Sequence, residues 1–230
     1  MKTIGLLGGM SWESTALYDR LINEGVRQAL GGTHSAPIVM VSVDFQKIEA
    51  LQHAGEWSDT AKILSEKARQ IESAGAEFLL ICTNTMHKVA DEISASINIP
   101  LLHIADATAH AVRAAGIETV GLLGTKFTME QAFYRGRLEQ HGVNVLVPPE
   151  AARDTVHRVI YEELIMGEVP PTSRDQFLAI IDELHRSGAQ AIIEGCTEIG
   201  LLVRQEHTPV PLFDTTVIHA KQAVQEALKQ

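Results

Sequence analysis

Two stretches of this 230-residue chain repeat each other at a single offset, and that repeat restricts the fold more than any other feature. Gly75-Ala-Glu-Phe-Leu-Leu-Ile-Cys-Thr83-Asn84-Thr85 aligns with Gly188-Ala-Gln-Ala-Ile-Ile-Glu-Gly-Cys196-Thr197-Glu198, with 113 positions separating Gly75 from Gly188 and Thr83 from Cys196. Ahead of each stretch stands an apolar run ending in glycine, Gly5-Leu-Leu-Gly8-Gly9-Met10 in the first half and Gly121-Leu-Leu-Gly124-Thr125 in the second. Behind each comes a proline-led run, Pro100-Leu-Leu-His103 and then Pro211-Leu-Phe-Asp214. Three paired segments in one order read as a duplicated structural unit.

Within each half, apolar runs alternate with segments of helical period. Strands are expected at Thr3–Leu7, Ile38–Val43, Glu77–Ile81, Thr119–Leu123, Asn144–Val147 and Ala191–Ile193, with a short one at Pro100–Leu102. Helices are expected at Glu13–Leu30, Ser58–Ser73, Asn84–Ser96, Met129–His141, Asp154–Met166 and Thr172–Ser187. Strands that are apolar throughout, separated by helices, form a parallel sheet covered on both faces. The fold class is therefore α/β, with two pseudosymmetric domains. Residues 1–103 plus 214–230 form the first and 104–213 the second, the final helix Asp214–Lys229 packing back on the first domain.

Composition narrows the partners. With 19 Lys+Arg against 29 Asp+Glu, the net charge is −10 and no basic cluster offsets it. Such a surface repels phosphate backbones and anionic membranes, so neither nucleic acid nor membrane is an expected partner. The apolar run between Met1 and Met10 is too short for a signal-peptide core, and two cysteines indicate no disulfide framework. A cytoplasmic location is the expectation. Gly5-x-x-Gly8-Gly9 is not the dinucleotide pattern, no Walker loop is present, and the ten histidines lack metal-ligand spacing. No cofactor and no metal are expected.

Ligands in open α/β sheets bind beyond the carboxyl ends of the strands, so two facing domains would bring Thr83 and Cys196 to one cleft. Helix N-termini after each would offer N–H donors suited to a carboxylate and to a thiolate. Acid/base groups on opposite sides of a substrate are what inversion at a carbon needs. Each residue also has a plainer use. Cysteine packs as a small core hydrophobe, Thr83 suits a helix N-cap, and Asn84, Thr85, Thr197 and Glu198 suit capping. Cys82 aligns with Gly195, out of register with Cys196, and reads as a packed strand residue.

Gly5-Leu-Leu-Gly-Gly-Met-Ser-Trp-Glu-Ser14, Thr83-Asn-Thr-Met-His87, Gly121-Leu-Leu-Gly-Thr125 and Gly195-Cys-Thr-Glu198 resemble, in order and over nearly the whole chain, the aspartate/glutamate racemase family. The resemblance implies a homodimeric racemase that works on a small amino-acid substrate without pyridoxal phosphate. It implies Thr83 and Cys196 as the catalytic pair, and Met10, Gln52, Asn84, Thr85, Thr197 and Glu198 as substrate-binding residues. Met10 would act through its backbone and Gln52 through a side chain on a loop, Leu51–Trp57. The family places a cysteine at both catalytic positions. Threonine in the first resembles an enterobacterial-type subgroup specific for acidic amino acids. Basic residues that hold a distal carboxylate in some members are missing near Gln52 and Met166, which leaves Lys126, Arg135 or the backbone. Two other readings stand beside it. One is a superfamily decarboxylase or hydantoin racemase, for which a single cysteine suffices. The other is a non-catalytic small-ligand binding protein, which would have no use for Cys196.

Overall fold

In this computed structural model, which describes residues 1–229, the chain divides into two compact units. Met1–Ile104 and the chain from His219 onward make the first, and Ala105–Ile218 the second. Each is an α/β unit built on one parallel sheet.

The first unit runs β1 (Ile4–Gly8), α1 (Trp12–Leu30), β2 (Ile38–Ser42), α2 (Phe45–Ala54), α3 (Trp57–Ser73) and β3 (Phe78–Ile81). A 3-10 turn at Thr85–Val89 and α4 (Ala90–Ala95) follow, and α5 (Ile104–Ala114) begins at its last residue. The second continues with β4 (Thr119–Leu123), α6 (Lys126–Glu130), α7 (Ala132–Gln140), β5 (Asn144–Leu146), α8 (Glu150–Glu162) and α9 (Pro171–Arg186). It closes with β6 (Ala191–Glu194), α10 (Ile199–Leu202), β7 (Leu212–Asp214) and the start of α11 (Thr215–Leu228).

The strand orders are the same device used twice. The first sheet is β2-β1-β3, with Leu101 bridging in parallel to Leu79 of β3; the second is β5-β4-β6-β7. Register repeats as well, because Gly5 stands opposite Leu79 in the first sheet and Gly121 opposite Ile192 in the second. A Cβ on Gly5 would come within 2.6 Å of Ile71 Cγ2, and one on Gly121 within 2.6 Å of Ile192 Cδ1. Both glycines let the central strand sit tightly under its cover.

Burial follows from the apolar runs. β1, β3 and β6 are buried along their whole length, as strands covered on both faces must be. On one face of the first sheet, Leu7, Leu79 and Ile81 meet Ile48, Leu64, Ala68 and Ile93. On the other, Ile4, Leu6, Phe78 and Leu80 meet Tyr18, Ile22 and Val26 of α1 and Ala220, Ala223 and Ala227 of α11. Tyr18, Ile22 and Val26 recur at helical spacing, so α1 turns one stripe inward. Its start is capped by the Ser11 side chain, which accepts from Ser14 N, and its end by Gly31 at φ 76°. Truncating a fully buried residue such as Ile22 to Ala would cost about 2–5 kcal/mol.

Several expected boundaries move. The segment Leu51–Trp57 is not a loop: Gln52 lies on α2, which Asp44 caps through Gln46 N and Gly55 ends in a left-handed conformation. The helix expected over Asn84–Ser96 is a 3-10 turn followed by α4, and Met129–His141 breaks at Gln131, an extended residue with ψ 148°. The units divide inside α11, after Ile218, instead of at its start. Asp214 is still sheet, opposite Glu194, and the Thr215 hydroxyl donates to the Glu194 carbonyl, so this turn stays with the second unit.

Candidate active site

In the first unit, loops leaving β1 and β3 are stitched to one another. The Cys82 N–H donates to the Leu7 carbonyl at 2.9 Å, and the Ser14 hydroxyl donates to the Cys82 carbonyl at 3.0 Å. Gly9 has φ +90°, and a Cβ there would meet the Val43 carbonyl oxygen at 2.3 Å, so only glycine makes this turn. Its N–H donates to the Thr15 hydroxyl at 2.8 Å, and that hydroxyl donates to the Ser11 carbonyl at 2.9 Å. Met10, held between them, buries its side chain with Ile48 and Met86 and keeps its backbone for any other role.

Thr83 is half-buried, one residue past Cys82, with Asn84, Thr85 and His87 buried behind it. It does not cap a helix: Asn84 takes that position, without a side-chain bond to the cap, and the turn that follows is 3-10. What anchors Thr83 is His87. Its Nδ1 lies 2.8 Å from the Thr83 carbonyl, and its Nε2 accepts from the Ile104 N–H at 3.2 Å. Those partners set the tautomer, with the proton on Nδ1. Against His87 lie His103, at 4.4 Å between ring centroids, and His219, at 6.0 Å. The His219 ring bonds the Leu102 carbonyl through Nε2 and the Tyr18 hydroxyl through Nδ1, both at 2.8 Å. Burial lowers its pKa to about 4. This ring is neutral near pH 7.

Cys82 is packed with Phe78, Leu80 and Tyr18, and burial alone pushes its thiol far up. It is a core residue.

In the second unit, Gly195 donates its N–H to the Leu123 carbonyl at 2.6 Å, and a Cβ there would lie 2.9 Å from that oxygen. Glycine before the cysteine is thus what allows the loop to close on β4. Cys196 and Thr197 are half-buried and Glu198 is buried. The Cys196 thiol donates to Glu198 Oε2 at 3.0 Å, and the Thr197 hydroxyl donates to the same oxygen at 2.6 Å. Burial and then the Glu198 carboxylate raise the Cys196 pKa well above its ordinary value, while the backbone N–H groups of Glu198 and Thr197 pull less strongly the other way. The backbone N–H groups expected to favour the thiolate are thus present but outweighed. α10 spans only four residues, and the group that faces the sulfur is a carboxylate. At rest Cys196 is an acid with its proton directed at a base.

Gln52 is buried on α2, in the first unit. Met10, Gln52, Thr83, Asn84 and Thr85 thus belong to the first unit, and Cys196, Thr197 and Glu198 to the second. Of the cations considered for a distal carboxylate, Lys126 forms an ion pair with Asp154, and Arg135 one with Glu139 at 3.9 Å, its buried Nε lacking a hydrogen-bond partner. Sequence reasoning did not bring out the His87 anchor or the proton directed at Glu198. The spacing Thr83-x-x-x-His87 was visible, but a backbone acceptor leaves no mark on a sequence. Among the described residues, no group of three His, Cys, Asp or Glu is placed to hold a metal ion, and no helix is long and apolar enough to cross a membrane.

The Asp/Glu/Hydantoin racemase family model matches residues 7–223, nearly the whole chain, and the chain belongs to that family. It is similar to the crystal structure of a candidate Asp/Glu racemase from Yersinia pestis, at 54% identity and TM-score 0.94 over 100% of both chains. An aspartate racemase homologue from Pyrococcus horikoshii also matches over 100% of both, at 33% identity and TM-score 0.87. The broad-specificity amino-acid racemase RacX of Bacillus subtilis is 23% identical over 229 residues, 96% of each chain.

Proposed function

We infer, from membership of the Asp/Glu/Hydantoin racemase family and from the two unequal loops, that this protein racemises an acidic amino acid, aspartate or glutamate. It does so without a cofactor, by proton transfer at Cα. The observation that carries the reading is the Cys196 thiol hydrogen-bonded to Glu198, at the position that the internal repeat pairs with Thr83.

In this reading Cys196 and Thr83 serve opposite faces of the substrate carbon. The thiol passes its proton to Glu198 Oε2, already in hydrogen-bond reach, and the thiolate takes the Cα proton. A substrate ammonium nearby would favour that step, because a cation stabilises the thiolate that burial disfavours. Delivery from the Thr83 side, by its hydroxyl or a water that it holds, gives the mirror product. In the reverse direction the resting thiol is the acid and gives its proton to the carbanion. Asn84, Thr85, Thr197 and the backbone of Met10 bind the α-carboxylate and ammonium, with Gln52 beside them. The protein acts as a homodimer in the cytoplasm.

The test is Cα-proton exchange in deuterium oxide across a panel of L- and D-amino acids. Exchange and inversion of aspartate or glutamate are expected from dialysed protein treated with a chelator and with a carbonyl reagent. Loss of activity after the carbonyl reagent would point to pyridoxal phosphate and overturn the reading.

A further inference from the structure

Glu194 is the last residue of β6, two positions before Cys196, and is only 4% exposed. Its Oε1 is buried and has no hydrogen-bond partner. A carboxyl in that state costs stability, so its presence asks for a use. The internal repeat sharpens the question. The residue 113 positions earlier is Ile81, fully buried in the first sheet, so the same place in the fold accepts an aliphatic side chain.

What Glu194 faces is another acid. Across β6 and β7 it stands in register with Asp214, and the carbonyl of Glu194 itself accepts the Thr215 hydroxyl at 2.9 Å. Asp214 Oδ1 accepts the N–H groups of Thr216 and Val217 at the start of α11, at 2.8 and 3.1 Å. Its Oδ2 lies against Gly200, 3.2 Å from where a Cβ would stand, and Gly200 belongs to the helix that follows Glu198. The two carboxyls therefore bracket the segment Gly195–Ile199, Glu194 entering it and Asp214 touching the helix that leaves it. Opposite Glu194 on the other neighbouring strand is Leu123, which is apolar. Among the described residues, the charge that acts on Glu194 is that of Asp214. A buried carboxylate beside a half-buried one, with no cation between them, cannot readily stay ionised along with its neighbour.

We propose that the Glu194–Asp214 pair positions the Cys196 thiol, one proton being held by the two carboxyls, and that losing this proton displaces the loop that carries the sulfur. Asp214, bound by two backbone N–H groups, keeps the charge, and Glu194 keeps the proton. Burial, followed by the charge of Asp214, raises the Glu194 pKa to about 8, so the proton leaves just above neutrality.

The proposal uses Cys196 as the reacting group of the inferred racemase, and the experiment separates the two ideas. Iodoacetamide alkylation of Cys196, identified by mass spectrometry, needs no catalytic turnover. It is measured from about pH 6 to about pH 10 on wild type, Glu194→Gln and Glu194→Ile, with racemisation followed in parallel. For a thiol ionising alone, alkylation rises about tenfold per pH unit below its pKa. Both variants are expected to follow that line, and wild type to depart from it near pH 8. The ratio of wild-type to Glu194→Gln kcat should be near one at pH 6 and fall as the pH passes 8, with KM little changed. Should Glu194→Gln fold poorly, Glu194→Ile, which installs the residue of the first sheet, serves alone. Superimposable alkylation profiles overturn the proposal even if racemisation is normal. Distinct profiles in a protein that racemises nothing keep the pair and sink the racemase reading.

Discussion

The two halves of this chain share strand order and register but load them with different chemistry. At the end of β3 stands a threonine whose carbonyl is anchored by a neutral histidine. At the end of β6 stands a cysteine whose thiol is hydrogen-bonded to a glutamate. Ionisable groups set into the two units differ in the same way, a buried histidine with lowered pKa in the first and, in the second, a buried and a half-buried carboxyl with raised pKa. Duplication thus preserved the scaffold, which needs apolar strands and tight glycines, and let the loop chemistry diverge.

The sharpest way to break the comparison is at sulfur. Cys196→Ala should lower turnover by at least about a hundredfold, the low end for losing a general acid or base, and stopped assays of D-product would read it. A variant within a few-fold of wild type would remove Cys196 from the mechanism.

Next in size is the inequality of the two groups. Racemisation has an equilibrium constant of one, so both directions share one kcat/KM and the asymmetry shows only in exchange. On the proposal that Cys196 serves the L face and Thr83 the other, deuterium should enter recovered L-substrate faster than D-product forms, while exchange into D-substrate lags. Thr83→Ala should cut inversion about tenfold, and Thr83→Cys should raise inversion relative to L-side exchange, since a thiol is a far better base than an alcohol near neutrality. Equal exchange of both enantiomers by wild type, unaltered in Thr83→Cys, would clear Thr83 of the weaker role.

The third comparison is of stability with pH. His219 has a folded pKa of about 4, below its ordinary 6.5, so its contribution is full above 6.5 and is lost as pH falls between those values. Glu194 has the opposite sign. With a folded pKa of about 8 against 4.5, it favours folding at low pH, and that contribution is lost as pH rises between the two. The acid limb is on the order of 3 kcal/mol and the alkaline limb on the order of 5 kcal/mol at most. Glu194→Gln should flatten the alkaline limb of melting temperature against pH, and His219→Gln the acid limb. Hydrogen exchange should place the alkaline loosening at β6 and β7 and the acid loosening at β1 and β3. Limbs untouched by these substitutions would contradict both assignments.

Smallest of all is Cys82→Ala. It removes a packed sulfur from the core and should cost about 1 kcal/mol of stability, with activity within twofold of wild type. A large loss of activity would undo the register that pairs Cys196 with Thr83.

The α/β class and the doubled sheet were legible because apolar runs and their offset are local marks. The equivalent positions of Thr83 and Cys196, each two residues past its strand, could be read for the same reason. Helix α2 was missed although Asp44 and Gly55 punctuate it, since ten residues with only Ile48 and Gln52 buried carry little periodic signal. The thiol's protonation could not be read at all. It depends on which way the Glu198 side chain folds, and motif and spacing are the same for either direction. Glu194 falls just past the expected strand Ala191–Ile193, and only cross-strand register reveals that it meets Asp214.

A thiol kept protonated also has a different chemical lifetime in the cell. Peroxide attacks the thiolate, and the climb from sulfenic to sulfonic acid begins from that anion. By keeping hydrogen on Cys196, the carboxylate of Glu198 leaves the resting protein with little thiolate to oxidise, while Cys82 is sealed in the core. The threonine of the other loop cannot be oxidised in this way.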